Sequence, residues 1–278
     1  NFEMMRVQRY GEVVRFDLAR TLLGQGRYWT TAYWVDGLLI DSGCAHTAKE
    51  LRAALQPYDV QAILNTHSHE DHIGGNGWLQ RWNPHLPIFA HPRALPILAN
   101  PRQKQPLQAY RRFFWGYPLP SQGTALRDGE EIRGKHYRFQ VIYTPGHKED
   151  HLCLYQPDQE WLFSGDLFVG GKDRALGEGY QIWEIIDSLK KIACLPLKWL
   201  FPGSARARQN PLSEIQAKIA YYEELGEKIL AYYARGWEIQ RIADELLGGR
   251  MWIEWITGGH FSRRNLVLSY LLGQKAAQ

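Results

Sequence analysis

The sequence predicts a layered α/β fold, with helices outside two packed sheets and a helical C-terminal tail. Three observations carry this. Strand-like segments come first, in two blocks that are each followed by helical periodicity. No segment repeats. From Pro211 onward the apolar spacing is that of helices alone.

Residues 6–16 alternate loosely and read as strand. Residues 31–35 and 38–40 flank Asp36-Gly37, a dipeptide suited to the positive φ of a tight hairpin turn. Residues 47–55 place Ala48, Leu51, Ala54 and Leu55 at helical spacing, and 60–64 and 87–90 are short apolar strands. Residues 96–125 differ. Pro96, Pro101, Pro106, Pro118 and Pro120 break the segment, and 110–117 is basic and aromatic, so a lid insertion with a short helix is expected. Strands resume at 137–143, and 152–155 and 161–164 pair around Pro157-Asp158. Residues 182–192 are helical, and 199–201 form a last short strand. Helices follow over about 211–233, stopped by Gly236, then 238–247 and 262–272. The expected organisation is one domain over 1–210 with a helical extension, 211–278, packed on it.

A chain of 278 residues is long enough for a large core. Its 22% charged and 45% hydrophobic residues, with a net charge of only +4, exclude disorder. No long Lys/Arg run is present, so no nucleic-acid partner is expected. Cys44, Cys153 and Cys194 are odd in number and lack a CxxC pair, which points away from a disulfide framework and toward the cytoplasm. No stretch of 18 apolar residues reads as a membrane span. The N-terminus lacks a signal-peptide pattern, and Asn1–Glu3 read as residues preceding a start at Met4 or Met5. A monomer or homodimer is expected.

The chemistry concentrates in Thr66-His67-Ser68-His69-Glu70-Asp71-His72-Ile73-Gly74-Gly75, directly after an apolar strand. In extended backbone His67 and His69 point the same way. Asp71 and His72 begin a turn into a helix and can face a second point. Imidazole and carboxylate together suit zinc, iron or manganese.

This segment resembles the HxHxDH signature of the metallo-β-lactamase-fold hydrolases, and the glyoxalase-II-like branch in particular. Three further motifs follow the family's order: Leu39-Ile40-Asp41-Ser42-Gly43, Thr144-Pro145-Gly146-His147 and Ser164-Gly165-Asp166. The resemblance runs over about residues 30–205. It implies an αββα four-layer sandwich and two divalent ions, zinc first, with manganese or iron as the other fits. His67, His69 and His147 would hold the first ion, Asp71 and His72 the second, and Asp166 would bridge them. Asp41 would support the metal loop. The implied activity is hydrolysis of a small ester, thioester, lactone or phosphoester by metal-activated hydroxide, with Asp71 orienting it or taking a proton.

One departure matters. Where the family places its last metal histidine, after Pro202-Gly203, this chain has Ser204. The second ion is therefore expected to bind weakly, or another side chain substitutes. His260, in the glycine-rich Gly258-Gly259-His260-Phe261, is the candidate. His151, four residues after His147, is a candidate partner behind the ligands. Of the other histidines, His46 reads as a turn residue, His85 and His136 as surface, and His91 as a strand-end residue near the site.

Substrate signals are weaker. Arg112, Trp115, Arg206 and Arg263 lie in segments that would form a cationic and aromatic rim if they converge, which suits a small anionic substrate. A nuclease would bring a basic track, and the family's lactonases carry a tyrosine soon after the bridging aspartate, where this chain has Leu167, Phe168 and Val169. Two other functions stay open: a mononuclear iron dioxygenase of the same fold acting on a persulfide through His67, His147 and Asp166, and a non-catalytic binding protein.

Overall fold

The computed structural model describes residues 5–22 and 25–273. Met5–Tyr10 (β1), Val13–Leu22 (β2), Gln25–Val35 (β3) and Leu38–Ile40 (β4) form an antiparallel meander. The last hairpin turns at Asp36 and Gly37, whose φ angles are 53° and 87°, the double positive that the two-residue turn demands. The sheet then changes character. Ala48–Leu55 (α1) returns the chain to Ala62–Leu64 (β5), which runs parallel to β4. Ile88–Ala90 (β6) and Thr124–Ala125 (β7) extend the parallel half. Two short helices, Glu70–Ile73 (α2) and Asn76–Trp82 (α3), fill the crossover after β5.

The second sheet holds Glu131–Arg133 (β8), Arg138–Tyr143 (β9), Leu152–Gln156 (β10) and Trp161–Gly165 (β11) as antiparallel neighbours. A two-residue strand, Leu176–Gly177 (β12), follows outside this sheet. Trp199–Pro202 (β13) joins parallel to β11, with Arg208–Gln209 (β14) at its edge. Val13, Tyr33, Leu64, Phe139, Phe163 and Phe201 pack between the two sheets. Tyr33 also crosses that interface, its hydroxyl donating to the Pro202 carbonyl at 2.5 Å.

Each outer face carries helices. Leu51 and Leu55 of α1 and Leu79 of α3 pack with Phe16, Leu39 and Ile63 of the first sheet. On the second sheet lies Ile182–Ala193 (α7), which buries Ile182, Ile185, Ile186, Leu189 and Ile192, a stripe at helical spacing. The expected αββα sandwich is present. The helical tail follows as Leu212–Ala234 (α8), Ile239–Leu247 (α9) and Arg263–Gly273 (α11 in chain order). Leu225, Ile242, Val267 and Tyr270 share one apolar cluster with Cys153, Leu162 and Ile185. The tail up to residue 273 thus packs on the second sheet through α7.

Three expectations need correction. Residues 96–125 hold three short helices, Leu95–Ala99 (α4), Pro101–Lys104 (α5) and Ala109–Phe114 (α6), where one was expected. The segment is also not all lid: β7 pairs with β6, and Leu98 is buried in the outer core. Pairing in a parallel sheet needs tertiary contact, so proline content hid it. The tail also contains an unforeseen helix, Trp252–Ile256 (α10), and a strand, Phe261–Ser262 (β15), which pairs with β12. Asn1–Glu3 and residues 274–278 lie outside the described residues. Among the described residues no helix is long and apolar enough to cross a membrane.

Candidate metal centre

The site lies outside the carboxyl ends of β4, β5, β11 and β13, where an open α/β sheet leaves a crevice. Asp41, just past β4, is the organiser. Its Oδ1 accepts from the Thr66 amide at 2.7 Å, and its Oδ2 accepts from the Thr66 hydroxyl at 2.7 Å. The same Oδ2 lies 2.8 Å from His72 Nδ1. One buried carboxylate thereby ties the end of β5 to α2 and turns His72 Nε2 inward. Asp150 does the same for Ser68, accepting from its amide at 3.2 Å and from its hydroxyl.

Three imidazoles then converge. His67 Nε2 and His147 Nε2 each lie 3.0 Å from His69 Nδ1. Asp166 Oδ2 is 3.5 Å from His147 Nε2 and 3.9 Å from His67 Nε2. On its other side the same oxygen is 3.3 Å from His72 Nε2, which is 3.6 Å from Asp71 Oδ2. Two donor groups result: His67, His69, His147 and Asp166, then Asp71, His72 and Asp166, with the donor atoms of each within 4.8 Å of one another. Asp166 belongs to both.

His151 stands behind them. Its Nε2 accepts from the Asp166 amide at 3.2 Å, which leaves the Nδ1 proton for the Thr144 hydroxyl at 2.9 Å. Close packing continues around the pair. A Cβ on Gly203 would sit 2.6 Å from His72 Cε1 and 2.7 Å from Asp166 Oδ1.

The electrostatics favour a cation. Burial, reinforced by neighbouring imidazoles and, at His69, by Lys148, pushes His67 and His69 well below the ordinary histidine range. Burial pulls His147 down to about 4 against the opposing pull of Asp166, and pulls His151 down to about 3. These rings are neutral and keep a lone pair. Burial also pushes the Asp71 carboxyl up; His72 opposes this, and Glu70 and Asp166 add to it. His72 lies the other way: burial works against its charge, but Asp166, Asp71 and Asp41 outweigh burial and raise it. Asp166 Oδ1 is buried with no hydrogen-bond partner among the described residues. Converging neutral lone pairs and two carboxylates, Asp71 and Asp166, one of them with an orphaned oxygen, fit a divalent metal, whose nitrogen ligands at about 2.0–2.1 Å would be close neighbours of one another.

Most of the sequence-predicted residues meet here: His67, His69, Asp71, His72, His147 and Asp166 as donors, with Asp41 and His151 behind them. His260 does not join either donor group. It lines the adjoining cleft, with Nδ1 2.8 Å from the Tyr110 hydroxyl. Ser204 and Trp115 line the same cleft. The predicted cationic rim is mostly elsewhere. Arg112 is exposed, and it is Arg111 that lines the cleft, its guanidinium forked onto both oxygens of buried Glu70. One position on a helix rotates a side chain by about 100°, which sequence alone did not resolve. Arg206 is exposed and outside the cleft. Arg263 is buried and paired with Glu254 and Asp244, so it holds the tail together. His91 stacks on Tyr143 and caps the Arg93 amide.

Sequence reasoning missed several cleft residues. Tyr180 packs its ring against His147, centroids 4.5 Å apart. Leu176, Phe261, Lys218, Asp173 and Tyr222 complete a cavity of about 290 Å³ beside the donors. These come from β12, β15, α8 and the loop before β12, and no local pattern marks them.

The profile of the Metallo-beta-lactamase superfamily matches residues 30–204, well over half of the chain. The chain belongs to the metallo-beta-lactamase superfamily. Within it, a hydroxyacylglutathione hydrolase of Acaryochloris marina is 33% identical over 144 residues, 50% of this chain and 47% of the relative. The atrochrysone carboxyl ACP thioesterase of Aspergillus fumigatus is 28% identical over 186 residues, 66% of this chain and 51% of the relative. The chain thus spans about half the length of these curated relatives. The metallo-beta-lactamase family protein TTHA1429 from Thermus thermophilus shares the fold, with a TM-score of 0.65 at 20% identity over 95% of this chain and 93% of that one. TTHA1623, solved in a di-iron-bound form, is 29% identical, with a TM-score of 0.57 over 70% of this chain and 96% of that one.

Proposed function

We propose that this chain is a metal-dependent hydrolase of a small carboxylic ester or thioester. The observation that carries the reading is the pair of donor groups sharing Asp166 at the head of a mostly apolar cleft. Superfamily membership and the likeness to a thioesterase and a hydroxyacylglutathione hydrolase support it. His67, His69, His147 and Asp166 would hold a first ion, and Asp71, His72 and Asp166 a second, more weakly, because that group has three donors and shares one of them.

A divalent ion placed there supplies Lewis acidity, polarising a carbonyl oxygen and making a neighbouring water nucleophilic near neutral pH. The protein's own groups do the rest. Asp41 fixes the tautomer and direction of His72. Asp71, whose carboxyl is pushed up by burial, takes the proton released by the water and returns it to the departing oxygen or sulfur. Trp115, Leu167 and Tyr180 supply apolar wall beside the donors.

Elemental analysis of protein purified without added metal or chelator, paired with ester, thioester, lactone and phosphoester panels, tests this. Two equivalents of zinc, manganese or iron with ester or thioester turnover is the expected result. One equivalent of iron, with oxygen uptake on a persulfide and no hydrolysis, replaces it with the dioxygenase. Neither metal nor turnover leaves a binding protein.

A further inference from the structure

We infer that the cleft beside the donors is a pocket for the acid half of the substrate, and that Lys218 on its floor recognises a neutral hydrogen-bond acceptor on that half. This rests on the hydrolase reading above.

The cleft runs from His69 and Asp166 at its head to Lys218 and Tyr222 of α8. Its walls include Leu167, Val169, Leu176 and Phe261, so most of what enters must be apolar. Yet its floor is charged. Lys218 is only 4% exposed, a rare placement for an ammonium unless it is paired. Its Nζ lies 2.7 Å from Asp173 Oδ2 and donates to the Gly170 carbonyl at 3.3 Å. The Tyr222 hydroxyl donates to the same Asp173 oxygen. An ammonium has three N–H groups; among the described residues two oxygens accept from it, and its remaining surroundings include the Phe168 and Tyr222 rings, whose centroids lie 5.6 and 5.5 Å from Nζ. A ring face holds an N–H less firmly than an oxygen acceptor does, and an acceptor on a ligand in the cleft would give the third N–H a full hydrogen bond. Asp173 already balances the charge and lines the same cleft. A ketone or hydroxyl suits the floor, whereas a carboxylate would meet Asp173.

The donors also open on a second cleft, which shares His69, His147 and Tyr180 with the first. Tyr180 stands between them, and a Cβ on Gly177 would come 2.6 Å from its ring. The second cleft is lined by Arg93, Lys148, Glu149 and Glu178. Its Arg93 and Glu149 side chains are 60% and 82% exposed. An open, charged cleft suits a water-soluble leaving half that projects into solvent. The less open cleft, with the larger apolar share of its wall, is left for the acid.

The test uses 4-nitrophenyl or simple thiol esters of 4-oxopentanoic, 5-oxohexanoic and 6-oxoheptanoic acids, each beside the plain acid of equal length and the dicarboxylic monoester. With the wild-type protein, at least one keto acyl group should exceed its plain counterpart about tenfold in kcat/KM, the scale of one hydrogen bond to a charged donor. The carboxylate series should fall below both. In K218M/D173N, which removes the pair together, the keto preference should drop to about one. Equal rates across the wild-type series, or a preference for plain chains, overturns the inference and leaves the hydrolase reading standing. A keto preference that survives in a folded K218M/D173N protein overturns the role of Lys218. If no ester or thioester is hydrolysed while metal is bound, the hydrolase reading fails and the inference falls with it.

Discussion

Asp41 Oδ2 and His72 Nδ1 lie 2.8 Å apart although 31 positions separate them in the chain. The carboxylate also holds the Thr66 amide and hydroxyl, so one buried group aligns the leads into both donor groups. Asp41→Asn replaces an acceptor with an amide donor on one side. Metal affinity at the group containing His72 should fall about 10–100-fold, with a smaller change at the histidine-rich group. A competitive metal titration showing two unaltered affinities would remove Asp41 from this role.

Asp166 is the shared donor, and His67 the most buried imidazole of its group. His67→Ala or Asp166→Ala should abolish hydrolysis of any accepted ester and lower bound metal in the same preparation. Full activity in either variant would sink the assignment of the centre.

Ser204 follows Gly203, which packs against His72 and Asp166. Ser204→His should raise affinity for the second ion, since imidazole is the better ligand. The readout is the second step of a metal titration. An unchanged step would show that another side chain already completes that group.

Arg111 and Arg112 separate surface from site. Glu70 is fully buried and Arg111 is its ion-pair partner, 11% exposed in its side chain. Arg111→Ala strands a buried carboxylate and should cost about 3 kcal/mol, while Arg112→Ala should stay within about 0.5 kcal/mol. Denaturant midpoints compare the two directly, and equal losses would refute the distinction.

Glu254 gives a pH dependence. Burial raises its carboxyl, but the Arg263 and Met251 amides and the Arg263 guanidinium outweigh burial and hold it below the ordinary range. A carboxyl lowered in the folded state contributes stability that is full above its unfolded value, about 4.3, and is lost as pH falls through the folded value. The stability gap between wild type and Glu254→Gln should therefore be widest near neutral pH and close in acid. A gap that is constant from about pH 7 to pH 3 would show that ionisation of Glu254 does not matter to the tail.

Legibility in the sequence followed locality. The Asp36-Gly37 hairpin and the stripe of α7 need only neighbours in the chain, and both lie where the residues put them. Strand β7 is two residues long and exists by pairing with β6, and β12 and β15 likewise define one another from opposite ends of the second half. Segments so short carry no periodicity of their own.

The same division runs through the site. His67, His69, Asp71 and His72 fall within six positions, and their alternation and turn chemistry by themselves determined that imidazoles and carboxylates would gather at a strand end. The order of the later motifs determined the family. What only the tertiary structure decided is how the cleft is walled and floored. Arg111 was separated from Arg112 by the rotation of one short helix. His260 was held at the cleft by Tyr110. Lys218 and Tyr222 came within reach of Asp173 only when α8 packed across chain separations of more than forty residues. A ligand cluster on one turn is written in spacing, whereas a pocket is written in the docking of elements whose contacts are distant in sequence.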